Sequence, residues 1–349
     1  MPRLPQVRPN VSHMAPYVPG EQPAPGERVI KLNTNENPFP PSPRVLEAIR
    51  NVDGEQLRRY PSPKADVFRA TAAAVHGVTA DMILTGNGSD EILAIAVRTF
   101  LGPGDTLAYP DPTYSLYPVL AESCENRVAT VPWEPGWALP VDALLATSAR
   151  AIFFANPNAP TGTLVRRSRV RELALAFDGL LLVDEAYVDF ADENCLDLVR
   201  ELPNVMICRT FSKGYALAGL RFGYAITAAP LVAEMGKVKD SYNCDAISIL
   251  AATAALADQD YARGTWQAVR AERTRLAGEL DRRGWEVIAS QANFLLARCP
   301  GGAAADTYRS LKSKGILVRH FDKPGLADKL RITIGTAEQN DALLAALPG

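Results

Sequence analysis

Lys213 is the side chain of this sequence with the clearest capacity for covalent chemistry. It lies in the stretch Thr-Phe-Ser-Lys-Gly-Tyr at residues 210–215, among small and apolar residues. A lysine in apolar surroundings loses part of its hydration, so its ammonium form is disfavoured and its free amine becomes a usable nucleophile. Such an amine forms a Schiff base with a carbonyl compound. A single lysine is more often a surface residue, so the prediction depends on other parts of the chain.

Two stretches have the residue types that bind a phosphate group. Ser212 and Arg221 provide a hydroxyl and a guanidinium near the lysine, and arginine binds phosphate through two charge-assisted hydrogen bonds. At residues 82–91, a strand pattern passes through Gly-Asn-Gly-Ser-Asp into an apolar helix. Such a turn directs free backbone N–H groups and the positive end of a helix dipole at a phosphate. Its spacing matches neither the dinucleotide fingerprint nor the P-loop, so the turn alone does not identify a ligand.

The elements that must position these residues alternate between strand and helix over residues 80–230. Short apolar runs typical of buried strands end at Asn156, at Asp184 and shortly before Lys213. This alternation predicts an α/β domain with a mostly parallel sheet flanked by helices. In such sheets, ligands bind beyond the carboxyl ends of the strands. We therefore predict one site that contains these three residues and the glycine turn.

The rest of the chain predicts an N-terminal arm and a second domain. Prolines at positions 2, 5, 9, 16, 19, 23 and 25 predict that residues 1–30 form an extended arm on the body of the protein or on a partner. Residues 31–255 are predicted to form the large domain, with the first part of 31–50 bridging to a smaller α/β domain at 256–349. In the smaller domain, Arg319 and Arg331 fall on predicted strands, where they can close over an anionic substrate.

The composition argues against several classes of function. The 349 residues are 47% hydrophobic and 22% charged, which is typical of a protein with a sizeable core. A net charge of −2 without basic blocks gives no support for a nucleic-acid or membrane partner. Five scattered cysteines and three histidines predict reduced thiols in the cytoplasm and no metal site. Neither secretion nor membrane insertion is expected.

Pyridoxal phosphate is the cofactor whose requirements these residues meet. It needs a lysine for its aldehyde, an anion against its ring nitrogen, a donor at its ring oxygen and a cup for its phosphate. Asp184, at the end of a predicted buried strand, can keep the ring nitrogen protonated. Tyr187 follows three residues later and can reach the ring oxygen, and Tyr114 is expected to stack on the ring face.

Four motifs occur in the order found in the fold type I aminotransferases, which this chain resembles: Asn-Pro-Asn-Ala-Pro-Thr-Gly at 156–162, Asp-Glu-Ala-Tyr at 184–187, Thr-Phe-Ser-Lys at 210–213 and Gly-Leu-Arg-Phe-Gly-Tyr at 219–224. Four further stretches narrow the resemblance to the histidinol-phosphate aminotransferase branch: residues 32–38, 59–61, 242–243 and 330–335. The resemblance covers nearly the whole chain.

The resemblance implies a role for each matching residue at the cofactor. Lys213 is expected to bond the aldehyde and to carry a proton between substrate and cofactor, Asp184 to pair with the ring nitrogen, and Tyr187 to donate to the ring oxygen. The phosphate is expected to contact the side chains of Ser212 and Arg221 and the backbone at Gly88, Ser89 and Asp90. Thr210 is expected to be a further cofactor-binding residue. Tyr60 resembles the tyrosine that reaches the phosphate in the neighbouring subunit, which implies a homodimer.

Other matching residues are expected at the substrate, and one position departs from the family. Tyr17 and Asn35 are expected to line the substrate side, where Arg319 and Arg331 would hold the substrate phosphate. Ala159 stands where most of the family has an asparagine that bonds the ring oxygen. Asn156 or Asn158 is therefore a candidate replacement beside Tyr187, and the sequence leaves the choice open.

The implied activity is an amino transfer in two half-reactions, in which glutamate gives its amine to the cofactor and imidazole acetol phosphate receives it, or the reverse. Two alternatives of the same branch remain: an aromatic amino-acid aminotransferase and a threonine-phosphate decarboxylase. A phosphate substrate is expected to need both Arg319 and Arg331, whereas a carboxylate needs mainly one. A regulator that only binds the cofactor usually carries a DNA-binding domain, for which the chain has no room.

Overall fold

Three sheets of seven, four and two strands organise the protein in a computed structural model that describes residues 4–24 and 26–347. The strands are β1 (Ile30–Lys31), β2 (Ile83–Gly86), β3 (Thr106–Asp111), β4 (Arg127–Pro132), β5 (Ala151–Ala155), β6 (Leu180–Asp184), β7 (Val205–Thr210), β8 (Gly223–Ile226), β9 (Glu286–Val287), β10 (Phe294–Arg298), β11 (Ile316–Leu317), β12 (Arg319–His320) and β13 (Lys329–Thr333). The helices are α1 (Pro9–His13), α2 (Pro43–Arg50), α3 (Gly54–Leu57), α4 (Asp66–His76), α5 (Ser89–Phe100), α6 (Leu116–Ser123), α7 (Val141–Leu145), α8 (Arg167–Ala176), α9 (Leu198–Glu201), α10 (Ala229–Val238), α11 (Ala246–Ala257), α12 (Gln259–Arg282), α13 (Ala304–Ser313) and α14 (Ala337–Ala346).

The seven-stranded sheet confirms the predicted α/β fold with a mostly parallel sheet. Its order is β2-β8-β7-β6-β5-β3-β4, and β8 alone runs antiparallel to its neighbours. Every residue of β5 and β6 is buried because helices cover both faces of the sheet. Phe68 of α4 and Val170 of α8 belong to the core on one face, and Ile92 of α5 belongs to the core on the other.

The register of the sheet brings the predicted site residues to one edge. Ala155 pairs with Asp184, and Asp184 pairs with Cys208, so β5, β6 and β7 end side by side. The strand β2 runs in the same direction and leads through the glycine turn into α5. The carboxyl ends of four strands therefore surround one cleft, as in other open α/β sheets.

The four-stranded sheet has the order β12-β13-β10-β9 and is antiparallel. Leu276 of α12, Leu343 of α14 and Ile332 of β13 belong to its core. The short strand β1 pairs with β11, with Ile30 opposite Ile316, and so connects the N-terminal part of the chain to this second unit.

The N-terminal arm corrects one prediction because it is not wholly extended. Residues 4–24 contain the helix α1, and none of these residues is buried. Arg8 Nη2 donates to Ser123 O at 2.8 Å, and Asn10 Nδ2 donates to Glu122 O at 2.9 Å. The arm is helical there because its polar side chains bond the free carbonyls at the end of α6. Two of the prolines that predicted the arm, at positions 2 and 25, lie outside the described residues.

Across residues 4–24 and 26–347, no helix combines the length and the apolar character that crossing a membrane would need.

Candidate active site

Lys213 lies three residues after β7, half-buried, with its amine in the cleft at the strand ends. Its Nζ donates to the backbone carbonyl of Thr34 at 2.9 Å and lies 5.9 Å from the ring centroid of Tyr187. Burial lowers the pKa of the Lys213 amine to about 8, and the positive charge of Arg331 contributes to the same shift. A larger fraction of this amine than of an ordinary lysine is therefore unprotonated near neutral pH, as a nucleophile requires.

Asp184 ends β6 as a buried carboxyl group that is 3% exposed. The Tyr117 hydroxyl donates to its Oδ2 at 3.1 Å, and the Ala186 N–H donates to its Oδ1 at 3.2 Å. Burial raises the pKa of Asp184 to about 7, with a further contribution from the negative charge of Asp90. Since no cation among the described residues pairs with Asp184, a protonated ring nitrogen would be a fitting partner. The sequence did not predict Tyr117 as part of the site.

The next residue, Glu185, is also buried but has a structural partner. Its side chain forms an ion pair of 2.7 Å with Arg209 and accepts a hydrogen bond of 2.5 Å from the Cys195 N–H. The two neighbouring acids therefore have different roles, because strand alternation directs their side chains to opposite faces of the sheet.

Tyr187 lies beside Lys213 and is held by residues from the second unit. Its hydroxyl accepts a hydrogen bond of 3.0 Å from Asn35 Nδ2, and its ring meets Phe294 edge-on at 5.0 Å. Asn35 is 1% exposed. That Asn35 lines the substrate side stays a prediction, and in the structure its buried amide donates to Tyr187.

The two asparagines that the sequence offered as replacements at Ala159 are both bonded elsewhere. Asn156 accepts from the Val165 N–H at 2.8 Å and donates to the Val165 carbonyl at 3.0 Å. Asn158 uses its two N–H groups on Pro112 O at 3.0 Å and on a threonine hydroxyl at 2.9 Å. Asn156 therefore holds the loop after β5, and Asn158 joins this loop to the turn after β3. These bonds use the N–H groups that a ring-oxygen donor would need, and they argue against both candidates.

An anion-binding cup forms where the strand β7 and the glycine turn meet. The Ser212 hydroxyl accepts from Thr210 Oγ1 at 3.0 Å and from Arg221 Nη1 at 3.2 Å, so its own hydrogen is free to point at a ligand. Gly88 precedes the N-terminus of α5 with φ +84°, and an added Cβ would lie 2.7 Å from Arg221 Nη2. The cup thus consists of a guanidinium, a hydroxyl and a helix N-terminus beginning at Ser89, which together suit a phosphate.

Tyr114 connects the cup to the tyrosines on the other side of the cleft. Its hydroxyl donates to Asp90 Oδ1 at 3.1 Å, while Arg221 Nη2 donates to Asp90 Oδ2 at 3.0 Å. The Tyr114 ring lies edge-on to Tyr17 at 5.8 Å. Tyr17, which is 38% exposed, therefore lies next to Tyr114, and its role at the substrate stays a prediction.

Arg319 and Arg331 lie directly opposite each other on β12 and β13. Arg331 Nη2 donates to Asn33 O at 2.9 Å, while its buried Nε has no hydrogen-bond partner among the described residues. Arg319 donates to the carbonyl of Pro19 at 3.2 Å, which ties the arm to this strand. The guanidinium carbons lie 5.3 and 5.4 Å from the ring centroid of Phe321, a residue that the sequence did not single out.

Tyr60, the expected contact with a neighbouring subunit, lies on the surface. It is 80% exposed and stacks on Tyr242 with ring centroids 4.4 Å apart. A stacked pair of aromatic rings in water is typical of a surface that contacts another molecule.

The sheet order, and the lysine that follows β7 at the carboxyl edge, define a fold type I transferase. The chain belongs to the aminotransferase class I and II family, because the model of that family matches residues 27–347.

Two curated relatives of this chain have the same name. The chain is 49% identical over 340 residues to histidinol-phosphate aminotransferase 1 of Trichormus variabilis, covering 97% of each protein. It is 50% identical over 340 residues to histidinol-phosphate aminotransferase 1 of a Nostoc species, covering 97% of this chain and 96% of that one.

A solved structure resembles the chain over almost its full length. The histidinol-phosphate aminotransferase of Sinorhizobium meliloti in complex with pyridoxal-5′-phosphate has a TM-score of 0.90 and 28% identity, covering 99% of this chain and 97% of that one. Together with the family match, these similarities confirm the resemblance that the motifs indicated.

Proposed function

We propose that this protein is a pyridoxal-phosphate-dependent aminotransferase that moves an amino group between L-histidinol phosphate and 2-oxoglutarate, or in the reverse direction between glutamate and imidazole acetol phosphate. The names of its relatives and the cofactor in the Sinorhizobium meliloti structure support this proposal. The observation that carries the substrate assignment is the pair Arg319 and Arg331.

This pair suits a substrate with two negative charges. Like charges directly opposite each other on antiparallel strands are destabilising, and here neither guanidinium has a carboxylate partner among the described residues. Burial lowers the pKa of Arg331, and the charge of Arg319 lowers it further. A phosphate dianion compensates both charges at once, whereas a carboxylate carries one charge and leaves the other unpaired.

The residues of the cleft fit pyridoxal phosphate. Asp184 is a buried carboxyl group without a cation among the described residues, and the close approach of Gly88 to Arg221 leaves no room for a side chain where a phosphate would lie. Lys213 would hold the aldehyde, Asp184 the ring nitrogen and the anion-binding cup the phosphate. When bound, the cofactor supplies an aldehyde that combines with amines and a ring that accepts electrons from the substrate.

The protein's own contribution is to bind, orient and move protons. Lys213 Nζ has a pKa of about 8, so it can accept a proton from the α-carbon of an amino substrate and return it later. Tyr187 and Tyr114 border the cleft, and Arg319 and Arg331 orient the substrate by its anionic end. The arm, whose backbone at residues 18–19 is bonded to Arg319, helps to exclude water.

A second copy of the chain is part of the proposal. Tyr60 and Tyr242 form a stacked pair, and Leu57 and Val67, close to Tyr60 in the sequence, are 57% and 62% exposed. We propose that this surface forms a homodimer in which Tyr60 reaches the phosphate site of the partner subunit. Working in the cytoplasm would agree with the five free cysteine thiols.

The predicted division of the chain into three parts also stays a proposal: an arm at 1–30, a large domain at 31–255 and a small domain at 256–349. The helix α11 supplies Ala251 to the core of the large sheet, and Leu256 and Ala262, just beyond the proposed boundary, belong to the same core. Further along α12, Leu276 belongs to the core of the second sheet. The boundary proposed at residues 255–256 lies at the end of α11, just before α12 begins.

The substrate assignment can be tested with the purified holoenzyme and four amino donors: L-histidinol phosphate, L-phenylalanine, L-tyrosine and threonine phosphate. We expect rapid transfer to 2-oxoglutarate from histidinol phosphate alone, and Arg319→Gln should raise its KM about 10- to 100-fold, since charge-assisted bonds contribute about 1.5–3 kcal/mol. The KM for glutamate should change less, and Arg309→Gln, on the surface of α13, is the matched control. Equal rates with phenylalanine would favour the aromatic aminotransferase, and carbon dioxide released from threonine phosphate would favour the decarboxylase.

The phosphate cup gives a second prediction with a matched pair of glycines. Gly88 and Gly104 have similar φ values of +84° and +82°. A Cβ added at Gly88 would lie 2.7 Å from Arg221, whereas a Cβ added at Gly104 would have no atom within 4 Å. Alanine at either position should reduce stability by about 1–3 kcal/mol because of the positive φ. Gly88→Ala alone should weaken cofactor binding by about tenfold or more, the value of one charge-assisted hydrogen bond. Equal cofactor affinities of the two variants, measured by equilibrium dialysis, would contradict the placement of the phosphate.

A further inference from the structure

We infer that Asn35 is a positioning residue that fixes the direction of the Tyr187 hydroxyl hydrogen. Because position 159 is an alanine, this hydroxyl is the one side-chain donor among the described residues of the site for the ring oxygen of the cofactor. This inference rests on the proposed cofactor. It assigns Asn35 to the cofactor instead of the substrate.

The orientation of the Asn35 amide follows from the hydrogens around Thr333. The Asn35 backbone N–H donates to Thr333 Oγ1 at 3.0 Å, and the Thr333 hydroxyl in turn donates to Asn35 Oδ1 at 3.1 Å. The oxygen of the amide must therefore face Thr333, and its NH₂ group must face away from it. A third bond of 3.0 Å, from Asn293 Nδ2 to the Asn35 carbonyl, holds the backbone in its left-handed conformation with φ +57°.

The Asn35 amide in turn determines the direction of the Tyr187 hydroxyl hydrogen. Asn35 Nδ2 donates to the Tyr187 oxygen at 3.0 Å, so this oxygen acts as an acceptor on the side of Asn35. A phenol has a single hydrogen, which must then be donated in another direction. Lys213 Nζ lies in the cleft, 5.9 Å from the centroid of the Tyr187 ring. The hydrogen is thus available to a ligand held by Lys213.

Because Ala159 cannot donate a hydrogen bond to the ring oxygen, the bond from Tyr187 to this oxygen has no second donor beside it. Its methyl group lies in a small apolar cluster with Ala292 and Phe294, against Tyr187, and is 6% exposed. A methyl group cannot donate a hydrogen bond, and the amides of Asn156 and Asn158 are occupied by the loop after β5 and by Pro112 after β3. The hydrogen bond to the ring oxygen therefore depends on Tyr187 as the donor and on Asn35, which orients the Tyr187 hydroxyl.

The consequence is measurable without turnover. A donor at the ring oxygen stabilises the oxyanion, so losing the donor favours the protonated form of the bound cofactor and raises the pH midpoint of its absorbance. Asn35→Asp has nearly the same shape and still accepts from Thr333, but its carboxylate accepts from Tyr187 and turns the hydrogen away from the cleft. We expect the midpoint of the loaded protein to rise by about one pH unit, the value of one hydrogen bond.

A double-mutant cycle separates this effect from the negative charge that the new carboxylate adds. Tyr187→Phe should raise the midpoint by a similar amount, and Asn35→Asp should add little to it in the double variant. If Asn35→Asp shifts the midpoint equally in the wild-type and the Tyr187→Phe backgrounds, the effect is one of charge and the inference is overturned. An unchanged midpoint in Asn35→Asp overturns it as well.

Two further variants keep the test valid if Asn35→Asp does not fold. Thr333→Val removes the hydroxyl that orients the amide and should shift the midpoint upward by a smaller amount, while Ala159→Asn adds a donor and should lower it. A midpoint that neither variant moves overturns the inference. Wild-type protein that does not bind pyridoxal phosphate would instead overturn the proposed function, so the two failures are distinguishable.

Discussion

Replacing Lys213 by alanine is expected to reduce kcat by about 10⁴-fold while leaving the fold intact. The variant loses the amine that holds the cofactor aldehyde and, with it, the group that moves the substrate proton, and general acid–base catalysis alone contributes about 10²–10⁴-fold. Stability should change little or rise, because the amine is half-buried with a lowered pKa and donates only to the Thr34 carbonyl. Single-turnover kinetics with L-histidinol phosphate would measure the loss.

The matched control for this variant is Lys237→Ala, which removes a lysine from the surface of α10, where it pairs with Glu234. It should leave kcat unchanged.

In cofactor-free protein, the rate at which a small aldehyde labels Lys213 should rise with pH through its pKa of about 8, because the neutral amine is the reactive form. Activity of Lys213→Ala within tenfold of the wild type would remove the basis for the entire site.

Asp184→Asn is expected to have two effects of opposite sign. In the holoenzyme it should reduce kcat by about 10²–10³-fold, since an amide does not keep the ring nitrogen protonated and an electrostatic contact at the reacting group is lost. In cofactor-free protein, the same change should increase the free energy of unfolding at pH 8. Asp184 has no cationic partner among the described residues, so the folded state holds an uncompensated buried carboxylate.

The pH dependence of this stability gain follows from the pKa of Asp184. Burial raises this pKa from 3.8 to about 7 in the folded protein, so the folded state binds more protons than the unfolded state between these values. The contribution of Asp184 to stability therefore falls as the pH rises from about 4 to 7 and stays low above 7. Asp184→Asn should stabilise the cofactor-free protein by about 1–3 kcal/mol at pH 8 and by much less at pH 4.

Urea unfolding of cofactor-free protein at pH 4, 6 and 8 would measure this difference. Asp178→Asn, at an exposed position between α8 and β6, makes the same change in charge and should give no pH-dependent difference. If Asp184→Asn destabilises the cofactor-free protein at pH 8, then Asp184 has a compensating partner that its surroundings do not reveal. With pyridoxal phosphate bound, the wild type should gain more stability than the variant, because the ring nitrogen supplies the missing cation.

The sequence predicted the α/β fold and placed Lys213, Asp184 and Ser212 in one site. This was possible because parallel strands end at the same edge of a sheet, so apolar runs followed by polar residues identify neighbours that are far apart in the chain. The edge strand β4 was missed because one of its six residues is buried and it lacks the continuous apolar pattern of β5 and β6.

Only the tertiary structure decided how each amide and hydroxyl is used. Asn35 and Asn156 have the same side chain, yet Asn35 bonds Tyr187, 152 positions away, and Asn156 bonds Val165 within its own loop. Local pattern predicts which residues reach an edge of the sheet, because periodicity and burial are set by neighbours in sequence. A hydrogen-bond partner depends on which atoms the folded chain brings within about 3 Å, and that distance is fixed by packing between units far apart in the chain.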